Sequence, residues 1–366
     1  MSAKKLIGLV CTNYHSDAFG ALTAERPVAS LPFAGRYRLV DFPLSGMVNS
    51  GIGTVGLVTP YMYRSLMDHV GVGKEWALSR KEGGMFILPG SIYGYKNIQG
   101  HFLLRDILRN LAFFQRGGDG ETVLAASAAN KVMNVDYRAV LADHEAAGGG
   151  VTLLCKRMDG RGLRADTDEQ GRVTALEERE EGGLLFLDSF LMDLPLLLKL
   201  SQLYDAMGYL DMTELFRQNL STIPVRVYEF TGYVGRVDDV RSYMRCNMDM
   251  LHYNIRRELF MSGRVIKTKV QDSPPAKYLE GASVVNSIVA SGCIIRGTVE
   301  NSVIFRGVHV EKGAYIKNSI VMQHGVIHGG AVLERVITDK YVEVGSGVSL
   351  IGESAHPIVI GKSAKV

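Results

Sequence analysis

The sequence predicts an α/β domain with a mixed, mostly parallel sheet, followed by a parallel β-helix. Three features indicate this architecture. Short apolar runs alternate with helical patterns up to about residue 253, a pair of prolines stands at 274–275, and Asn-Ser followed by Ile or Val recurs three times after them. Alternating strands and helices are typical of βαβ units, and short strands between small turn residues are typical of a stacked coil.

The first domain is predicted to alternate strands and helices. Apolar runs of strand length occupy 6–11, 54–59, 122–126 and 150–155, and helical patterns occupy 39–49, 63–70, 103–114 and 137–147. The polar, glycine-containing stretches 160–171 and 177–183 are predicted to be surface hairpins or loops.

The second domain is predicted from a repeat whose blocks begin at Asn286, Asn301 and Asn318, with glycines recurring between them. Gly and Asn adopt corner conformations that other residues resist, while the Val/Ile pairs stack inside. The prolines at 274–275 exclude both helix and central strand, which marks a linker. We therefore expect an α/β domain over residues 1–255, a linker over 256–277 and a β-helix over 278–366.

The composition excludes several classes of protein. A formal net charge of +3 over 366 residues, without a Lys/Arg stripe, argues against nucleic acid as a partner. The Leu-rich stretch 184–200 is interrupted by Asp188, Asp193 and Lys199, so no membrane span is expected. The four cysteines are far apart and form no C-x-x-C spacing, which predicts reduced, mostly buried thiols in a cytoplasmic protein.

The loop after the first strand lacks the features of a phosphate-binding site. Such a loop needs glycines that let backbone N–H groups approach phosphate, and a basic residue that neutralises its charge. Residues 12–20 contain a single glycine, Gly20, no Lys or Arg, and the acidic Asp17. On these residues the loop is an ordinary connection between strand and helix.

The segment that follows carries a specific motif. It reads RPVASLPFAGRYRLVDFPLS over 26–45, followed by NSGI at 49–52, SLMDH at 65–69, GY at 232–233 and SPPAKY at 273–278. This ordered set resembles bacterial glucose-1-phosphate adenylyltransferase (ADP-glucose pyrophosphorylase). The resemblance implies a Rossmann-like nucleotidyltransferase domain and a left-handed, hexapeptide-type β-helix. It also implies the reaction of ATP with glucose 1-phosphate, assisted by Mg²⁺ that two aspartates hold.

The chain departs from the family pattern at the chemical positions. The arginine of the glycine-rich loop falls on Ala18, the lysine of the R-A-K-P motif on Val28, and the two metal-binding aspartates on Asn130 and Arg236. An amide and a guanidinium do not give Mg²⁺ the charge and hard oxygen ligands that carboxylates give. We therefore predict no catalytic residue and no metal site. The alternative is a shifted metal site that uses Asp136, Asp238 or Asp239.

Other family positions keep their charge. Glu178 and Arg179 fall on the Glu-Lys pair that contacts the sugar and its phosphate, and a solvated charged loop is the alternative. Arg26 and Arg38 match family arginines that bind phosphorylated activators, a role that suits the bidentate hydrogen bonding of arginine. Their alternative role is ion-paired scaffold, with Arg38 near Asp41. The resemblance thus implies a phosphorylated effector.

The sequence looks like the degenerate homologue that some bacteria pair with a catalytic adenylyltransferase subunit. This implies a non-catalytic regulatory subunit, in a heterotetramer with the catalytic subunit or self-associated. It also implies that Mg²⁺ is bound by the catalytic partner and that this subunit holds no cofactor. One alternative is an active nucleotidyltransferase with a rebuilt site. Another is a hexapeptide-type acyltransferase that binds acyl-CoA at trimer interfaces, which leaves the first two-thirds of the chain unused.

Overall fold

The computed structural model describes residues 4–12, 17–59, 62–90, 101–115, 122–203 and 211–366. The chain divides into two compact units. Unit 1 comprises Met1–His15, Phe42–Gly232 and Arg264–Lys267, and unit 2 comprises Ser16–Asp41, Tyr233–Gly263 and Thr268–Val366. Unit 2 thus takes in sequence from both sides of the predicted linker at 256–277. The division of the chain at 255 and 277 remains a prediction.

Unit 1 is built on a nine-stranded mixed sheet. Its strands are β1 (Lys5–Cys11), β2 (Thr54–Thr59), β3 (Gly84–Pro89), β4 (Thr122–Ala128), β5 (Val151–Lys156), β6 (Gly162–Thr167), β7 (Val173–Arg179), β8 (Leu184–Asp193) and β9 (Val225–Glu229). They lie in the order β7-β6-β8-β4-β1-β2-β3, and β5 pairs with both β8 and β9. Strands β4, β1, β2 and β3 are parallel, whereas β8 is antiparallel to β4, β5 and β6. This confirms the predicted α/β fold class.

The helices of unit 1 alternate with these strands. They are α1 (Asp41–Asn49), α2 (Arg64–Val70), α3 (Leu104–Arg109), α4 (Leu111–Gln115), α5 (Tyr137–Ala146), α6 (Leu194–Leu203) and α7 (Met212–Gln218). The helix predicted over 103–114 is divided at Asn110, whose side chain donates to the carbonyl oxygens of Pro89 and Asp106. The predicted stretch 160–171 contains β6, and 177–183 overlaps the end of β7; the two strands form an antiparallel pair at the outer end of the sheet.

A continuous apolar core fills unit 1. Leu9, Leu124, Phe190 and Phe216 are all buried in it. The ring of Phe190 lies 4.9 Å from that of Phe102 and 5.3 Å from that of Phe216, both edge to face. Parallel strands that are covered on both faces are apolar along their whole length. This is why β1 and β4 are recognisable as mainly apolar runs in the sequence.

Unit 2 contains a left-handed β-helix with three faces, each a five-stranded parallel sheet. The strands of the first face are Lys277–Tyr278, Ile294–Ile295, His309–Val310, Val326–Ile327 and Glu343–Val344. Those of the second face are Ser283–Val285, Thr298–Glu300, Tyr315–Lys317, Val332–Glu334 and Ser349–Ile351. Those of the third face are Ile288–Val289, Val303–Ile304, Ile320–Val321, Val336–Thr338 and Ile358–Ile360. The buried column Ile295, Val310, Ile327 and Val344 shows how one residue of each strand stacks inside. The predicted β-helix is confirmed.

The Asn-Ser repeat marks one corner of the β-helix. Asn286, Asn301 and Asn318 have φ of 43°, 44° and 48°, in the left-handed region that Asn tolerates better than most residues. The serine that follows each asparagine accepts a hydrogen bond from a backbone N–H of the next coil. At 3.1 Å each, the acceptor–donor pairs are Ser287–Ser302, Ser302–Ser319 and Ser319–Val336. At each repeat, therefore, the asparagine supplies the left-handed corner and the serine supplies a hydroxyl acceptor that links the corner to the next coil.

Two corner glycines with the same backbone conformation are expected to tolerate substitution differently. Gly307 and Gly347 have φ of 68° and 71°. A Cβ on Gly307 would lie 2.6 Å from Nδ1 of His324, whereas a Cβ on Gly347 would meet nothing within 4 Å. Gly347→Ala should lower the free energy of unfolding by about 1–2 kcal/mol through backbone strain, and Gly307→Ala by roughly 1–3 kcal/mol more through overpacking. Denaturant titration of both variants tests this, and equal losses would contradict the steric argument.

Two further helices and a short hairpin complete unit 2. The helices are α8 (Val240–Asp249) and α9 (Tyr253–Phe260), and the hairpin pairs Pro32–Phe33 with Tyr37–Arg38. At the turn of the hairpin, the Ala34 N–H donates to the Asn247 side chain (2.9 Å), and a Cβ on Gly35 would lie 3.2 Å from the side chain of Ile288. The turn of the hairpin therefore packs on α8 and on the third face of the β-helix.

In the part of the chain that the structure describes, no helix is long and apolar enough to cross a membrane. The Leu-rich stretch 184–200 forms β8 and α6 instead. The four cysteines are free and buried, as predicted. Burial raises the pKa of the Cys246 thiol to about 12, so this group is an apolar packing residue at neutral pH.

Candidate functional site

Two of the degenerate positions lie in short turns of unit 2. Ala18 is exposed in the 3-10 helix Asp17–Thr23, and Val28 is 2 % exposed in the 3-10 helix Val28–Ser30. Residues 13–16, which belong to the same aligned loop, lie outside the described residues. Val28 packs as a core residue and has no charge with which to bind phosphate.

The residues that follow β4 carry a buried cation. Asn130 is 4 % exposed, and the next residue, Lys131, is 2 % exposed. The Nζ of Lys131 lies 2.7 Å from Oδ2 of Asp188, and Nδ1 of His101 lies 3.3 Å from Oδ1 of the same carboxylate. Because β4 lies beside β1 in a parallel sheet, this group is at the carboxyl edge where ligands of such sheets bind.

Asp188 occupies an irregular point of β8. The register between β8 and β5 shifts between Phe186 and Phe190, and Asp188 has φ of 49° within this bulge. Bulges re-aim a side chain, and a non-glycine residue in this region costs about 1–3 kcal/mol. Although burial raises the pKa of Asp188, the charges of Lys131 and His101 outweigh it and hold the pKa far below its usual range. The carboxylate is therefore ionised and paired.

Glu178 and Arg179 lie at the end of β7. Arg179 Nη2 lies 2.7 Å from Asp166 Oδ2, and Glu178 is exposed. The structure thus places Arg179 in an ion pair beside a solvated glutamate, and sugar-phosphate binding by this pair remains a prediction.

A buried arginine organises the two loops around this pair. Arg164 is 2 % exposed, and its guanidinium donates to five backbone carbonyl oxygens. The acceptors are the carbonyls of Met158, Gly160, Arg179, Glu180 and Gly182. Both loops are therefore tied to one side chain, which explains how this polar, glycine-containing sequence holds a fixed shape.

In unit 2, Arg26 is committed to a buried ion pair. Its Nη2 lies 2.7 Å from Oδ2 of Asp339, with side chains only 6 % and 3 % exposed, and its Nε donates to the carbonyl of Leu22 (2.9 Å). A phosphate would have to displace the Asp339 carboxylate to reach this guanidinium. Phosphate binding by Arg26 remains a prediction, and the geometry matches the alternative role as ion-paired scaffold.

Arg38 lies among other cations of unit 2. Its backbone N–H donates to Asp41 Oδ2 (2.9 Å), as the proximity of the two residues in the sequence suggests. The pKa of Lys340 is lowered to about 7 by burial and then by the charges of Arg38, Arg26 and Arg306, against the opposing effect of Asp339. Three guanidinium groups and one carboxylate thus act on this lysine.

The same positive potential reaches the neighbouring corner of the β-helix. The pKa of His324 is lowered by burial and then by the charges of Arg306, His309 and Lys340. The His324 ring stacks on that of Tyr341 at 5.2 Å. We refer to Arg38, Arg306 and Lys340 as the basic cluster.

Comparison with known proteins identifies the family. Residues 274–356 match the family model described as GlmU-like, C-terminal hexapeptide. The glycogen biosynthesis protein GlgD of Bacillus subtilis is 34% identical over 363 residues, which cover 99% of this chain and 97% of that protein. The chain belongs to the GlgD and glucose-1-phosphate adenylyltransferase family. GlgD of Geobacillus stearothermophilus is 36% identical over 85% of this chain and 83% of its own length, and a glucose-1-phosphate adenylyltransferase of Thermomicrobium roseum is 32% identical over 93% and 82%.

The carboxylates that could replace the family's metal ligands already have other partners. Asp136 caps α5 and lies 2.9 Å from Arg138, whose hydrogen bond lowers its pKa despite partial burial. Asp238 lies 2.9 Å from Arg236, and Asp239 forms a capping box with Ser242 at the start of α8.

Among the residues that the structure describes, no group of three or more His, Cys, Asp or Glu side chains could hold a metal ion. An amide at Asn130 and a guanidinium at Arg236 do not supply the hard, negative ligands of Mg²⁺. The residues present at these predicted positions therefore do not fit a magnesium ion.

Sequence reasoning missed the partners of these charges. Asp188 was visible only as a polar interruption of the Leu-rich stretch, Lys131 only as the neighbour of Asn130, and Lys340 falls in no motif. The signal that could have found Asp188 is its position in an apolar strand, because a buried charge needs an opposite charge nearby. The identity of that partner depends on the sheet pairing.

A histidine bridges three coils of the β-helix and predicts a pH dependence. His328 Nε2 lies 3.0 Å from Glu343 and its Nδ1 3.2 Å from Glu311. Lys365 also pairs with Glu343 (2.9 Å), and the Gly329 N–H donates to Glu311 (3.0 Å). The hydrogen bonds to Glu343 and Glu311 raise the pKa of His328 above its usual value.

The stabilisation from His328 should be complete below the pKa of an unfolded histidine, about 6.5, and should vanish as pH rises through the higher folded pKa. The melting temperature of His328→Gln should therefore fall below that of the unmodified protein at pH 6 and approach it at pH 9. His356→Gln, at an exposed histidine, is the matched control. A constant difference across this pH range for His328→Gln would contradict the bridging role.

Proposed function

We propose that this chain is a non-catalytic regulatory subunit of bacterial glycogen synthesis that acts on a catalytic glucose-1-phosphate adenylyltransferase. The names of its relatives, glycogen biosynthesis protein GlgD and glucose-1-phosphate adenylyltransferase, support the pathway and the partner. The proposal includes a heterotetramer with the catalytic subunit in the cytoplasm, in which the partner binds Mg²⁺ and performs adenylyl transfer.

The observation that carries the proposal is the loss of metal-binding donors together with retention of the fold. Adenylyl transfer needs cations and basic groups that neutralise charge on the phosphates. This chain has Ala18, Val28, Asn130 and Arg236 at the corresponding positions. Asp136, Asp238 and Asp239 are engaged with Arg138, Arg236 and Ser242, so the alternative of a rebuilt site finds no support in their contacts.

The basic cluster supports a phosphorylated effector as the regulatory ligand. Arg38, Arg306 and Lys340 concentrate positive charge in unit 2, and an anion would relieve their mutual repulsion. Regulation requires that the effector bind one state of the assembly more tightly than another. The coupling therefore consists of effector binding in unit 2 that changes the affinity of the partner for its substrates.

The test is co-expression with a catalytic glucose-1-phosphate adenylyltransferase from the same organism. We expect the two chains to co-purify and the kinetic constants of the catalytic subunit for ATP and glucose 1-phosphate to change. The isolated chain should form no ADP-glucose with Mg²⁺, ATP and glucose 1-phosphate. Separate elution with unaltered kinetics would refute regulation, and ADP-glucose synthesis by the isolated chain would establish the active-enzyme alternative.

Anion binding to the basic cluster should depend on pH. Because the pKa of Lys340 is about 7, the lysine loses its charge as pH rises above 7, and anion affinity should fall. Sulfate is a suitable probe because its own charge is constant from pH 6 to pH 8. Calorimetry should show weaker binding at pH 8 than at pH 6, and Lys340→Gln should remove most of this dependence.

Lys312→Gln, at an exposed lysine of the β-helix, is the matched control and should bind sulfate as the unmodified protein does. Equal binding by the Lys340→Gln and Lys312→Gln proteins would contradict the assignment of the basic cluster.

A further inference from the structure

Among the described residues of unit 1, three charged or titratable side chains meet near the carboxyl end of β4. The set consists of Lys131 after β4, Asp188 in the bulge of β8, and His101 before α3. The lysine is 2 % exposed. Because burial of a charged lysine is unfavourable, such a residue needs a partner of opposite charge. The 2.7 Å distance from Lys131 Nζ to Asp188 Oδ2 supplies that pairing.

The backbone of β8 is strained at the residue that forms this ion pair. Asp188 has φ of 49°, a conformation in which glycine would be unstrained. The register shift around it turns a residue of a central strand toward the edge. Strained residues persist where their surroundings compensate for the strain. The compensation available here is the ion pair with Lys131 and the contact with His101.

The lysine stem is also held in place. Lys131 lines a small cavity together with Phe42, Ser127 and Tyr137, and the Tyr137 hydroxyl hydrogen-bonds to Ser189, the residue after Asp188. The lysine side chain is therefore enclosed by these residues, and its ammonium group is held by the carboxylate at its end.

We propose that Lys131 is a tethered cation that neutralises the Asp188 carboxylate near the end of β4, so that this carboxylate needs no metal ion or other external cation. The ammonium group neutralises the carboxylate that an external cation would otherwise neutralise. The proposal rests on the proposed non-catalytic function only in explaining why the chain places its own ammonium group at this position.

The test replaces the tethered cation by a free one. Lys131→Ala removes the side chain beyond Cβ and leaves the Asp188 carboxylate buried, which should lower the melting temperature by roughly 5–10 °C. The cation n-propylammonium has the three carbons and the nitrogen that were removed. It should raise the melting temperature of Lys131→Ala in a saturable manner, whereas n-propanol, of similar shape and no charge, should not.

Lys4→Ala is the matched control in the same unit. Lys4 also pairs with a carboxylate, Asp193, at 2.8 Å, but its side chain is 32 % exposed. This variant should lose less stability and show no amine rescue. If propylammonium and propanol act equally on Lys131→Ala, or if Lys4→Ala is rescued equally, a tethered-cation role is overturned.

A second variant covers the case in which Lys131→Ala does not fold. Lys131→Met with Asp188→Gly removes both charges and relieves the backbone strain, so the double variant should fold and be more stable than Lys131→Met alone. A double variant less stable than the single one would overturn the proposal. These measurements use the isolated chain, whereas ADP-glucose synthesis by that chain would refute the proposed function, so the two failures are distinguishable.

Discussion

Replacing Asp339 with alanine is expected to be among the most destabilising single changes in unit 2, with a loss of about 3–5 kcal/mol in the free energy of unfolding. The Arg26–Asp339 pair is buried at 2.7 Å, and removing the carboxylate leaves a guanidinium without its counter-charge. Arg38 and Lys340 add further positive charge nearby. The expected loss is measured by denaturant titration, with a probe that reports on the β-helix.

The reciprocal change, Arg26→Met, should lower the free energy of unfolding by less than Asp339→Ala does. Arg26→Met leaves Asp339 with the Lys340 N–H, which donates to Oδ1 at 2.7 Å, and with the Lys340 ammonium nearby. The positive surroundings therefore compensate the carboxylate better than they compensate the guanidinium. We expect Asp339→Ala to be the more destabilising of the two, and the reverse order would contradict this electrostatic account.

The exposed pair between Glu25 and Lys362 supplies a matched control. It joins the same segment to the β-helix at 2.8 Å, but the side chains are 71 % and 45 % exposed. Exposed ion pairs are screened by water and salt. Glu25→Gln should therefore leave stability almost unchanged, which isolates burial as the cause of the Asp339 effect.

Replacing Arg164 with methionine is expected to lower the free energy of unfolding of unit 1 by a similar amount, about 3–5 kcal/mol. Methionine keeps much of the volume but leaves five backbone carbonyl oxygens without their donor. The loops at 157–162 and 179–183 should then exchange their amide hydrogens faster than the rest of the sheet. Hydrogen exchange with mass spectrometry measures this directly, alongside denaturant titration.

Two further substitutions separate hydrogen bonding from charge. Arg164→Lys retains the positive charge but offers three donors in a different geometry, so it should recover only part of the stability. Arg226→Met removes a guanidinium whose Nη1 donates one hydrogen bond to the carbonyl of Gln170, at 2.7 Å. This change should have a small effect on the free energy of unfolding. A fully stable Arg164→Lys protein would show that charge alone, rather than the five-donor geometry, holds the loops.

The fold was predictable where the pattern is local. The run at 54–59 has the same bounds as β2, and the run at 6–11 lies within β1. Both strands are largely buried, so their apolar residues are frequent enough for the sequence to reveal them. The asparagine repeat was equally visible because each corner needs a left-handed conformation. The strands β6 and β7 were less visible, since an outer hairpin with polar residues has no continuous apolar run.

The candidate site was predictable only in residue type. Losing a carboxylate at Asn130 or a lysine at Val28 is visible at the residue itself, because metal and phosphate chemistry needs particular side chains. Arg38 was predicted as a phosphate contact, whereas the lysine beside it in unit 2, Lys340, was not singled out. Its electrostatic role follows from neighbours that are distant in sequence.

By itself, then, the amino-acid sequence determined the order of the two folds and the corner ladder of the β-helix, and it predicted that carboxylates are missing where the family resemblance implies magnesium ligands. Each of these follows from side-chain chemistry or from a period of a few residues. Tertiary structure alone decided which charges neutralise one another, as in the pairs Lys131–Asp188 and Arg26–Asp339. The reason is physical: the energy of a charge depends on its distance to other charges and on its exposure to water, and chain pairing sets both.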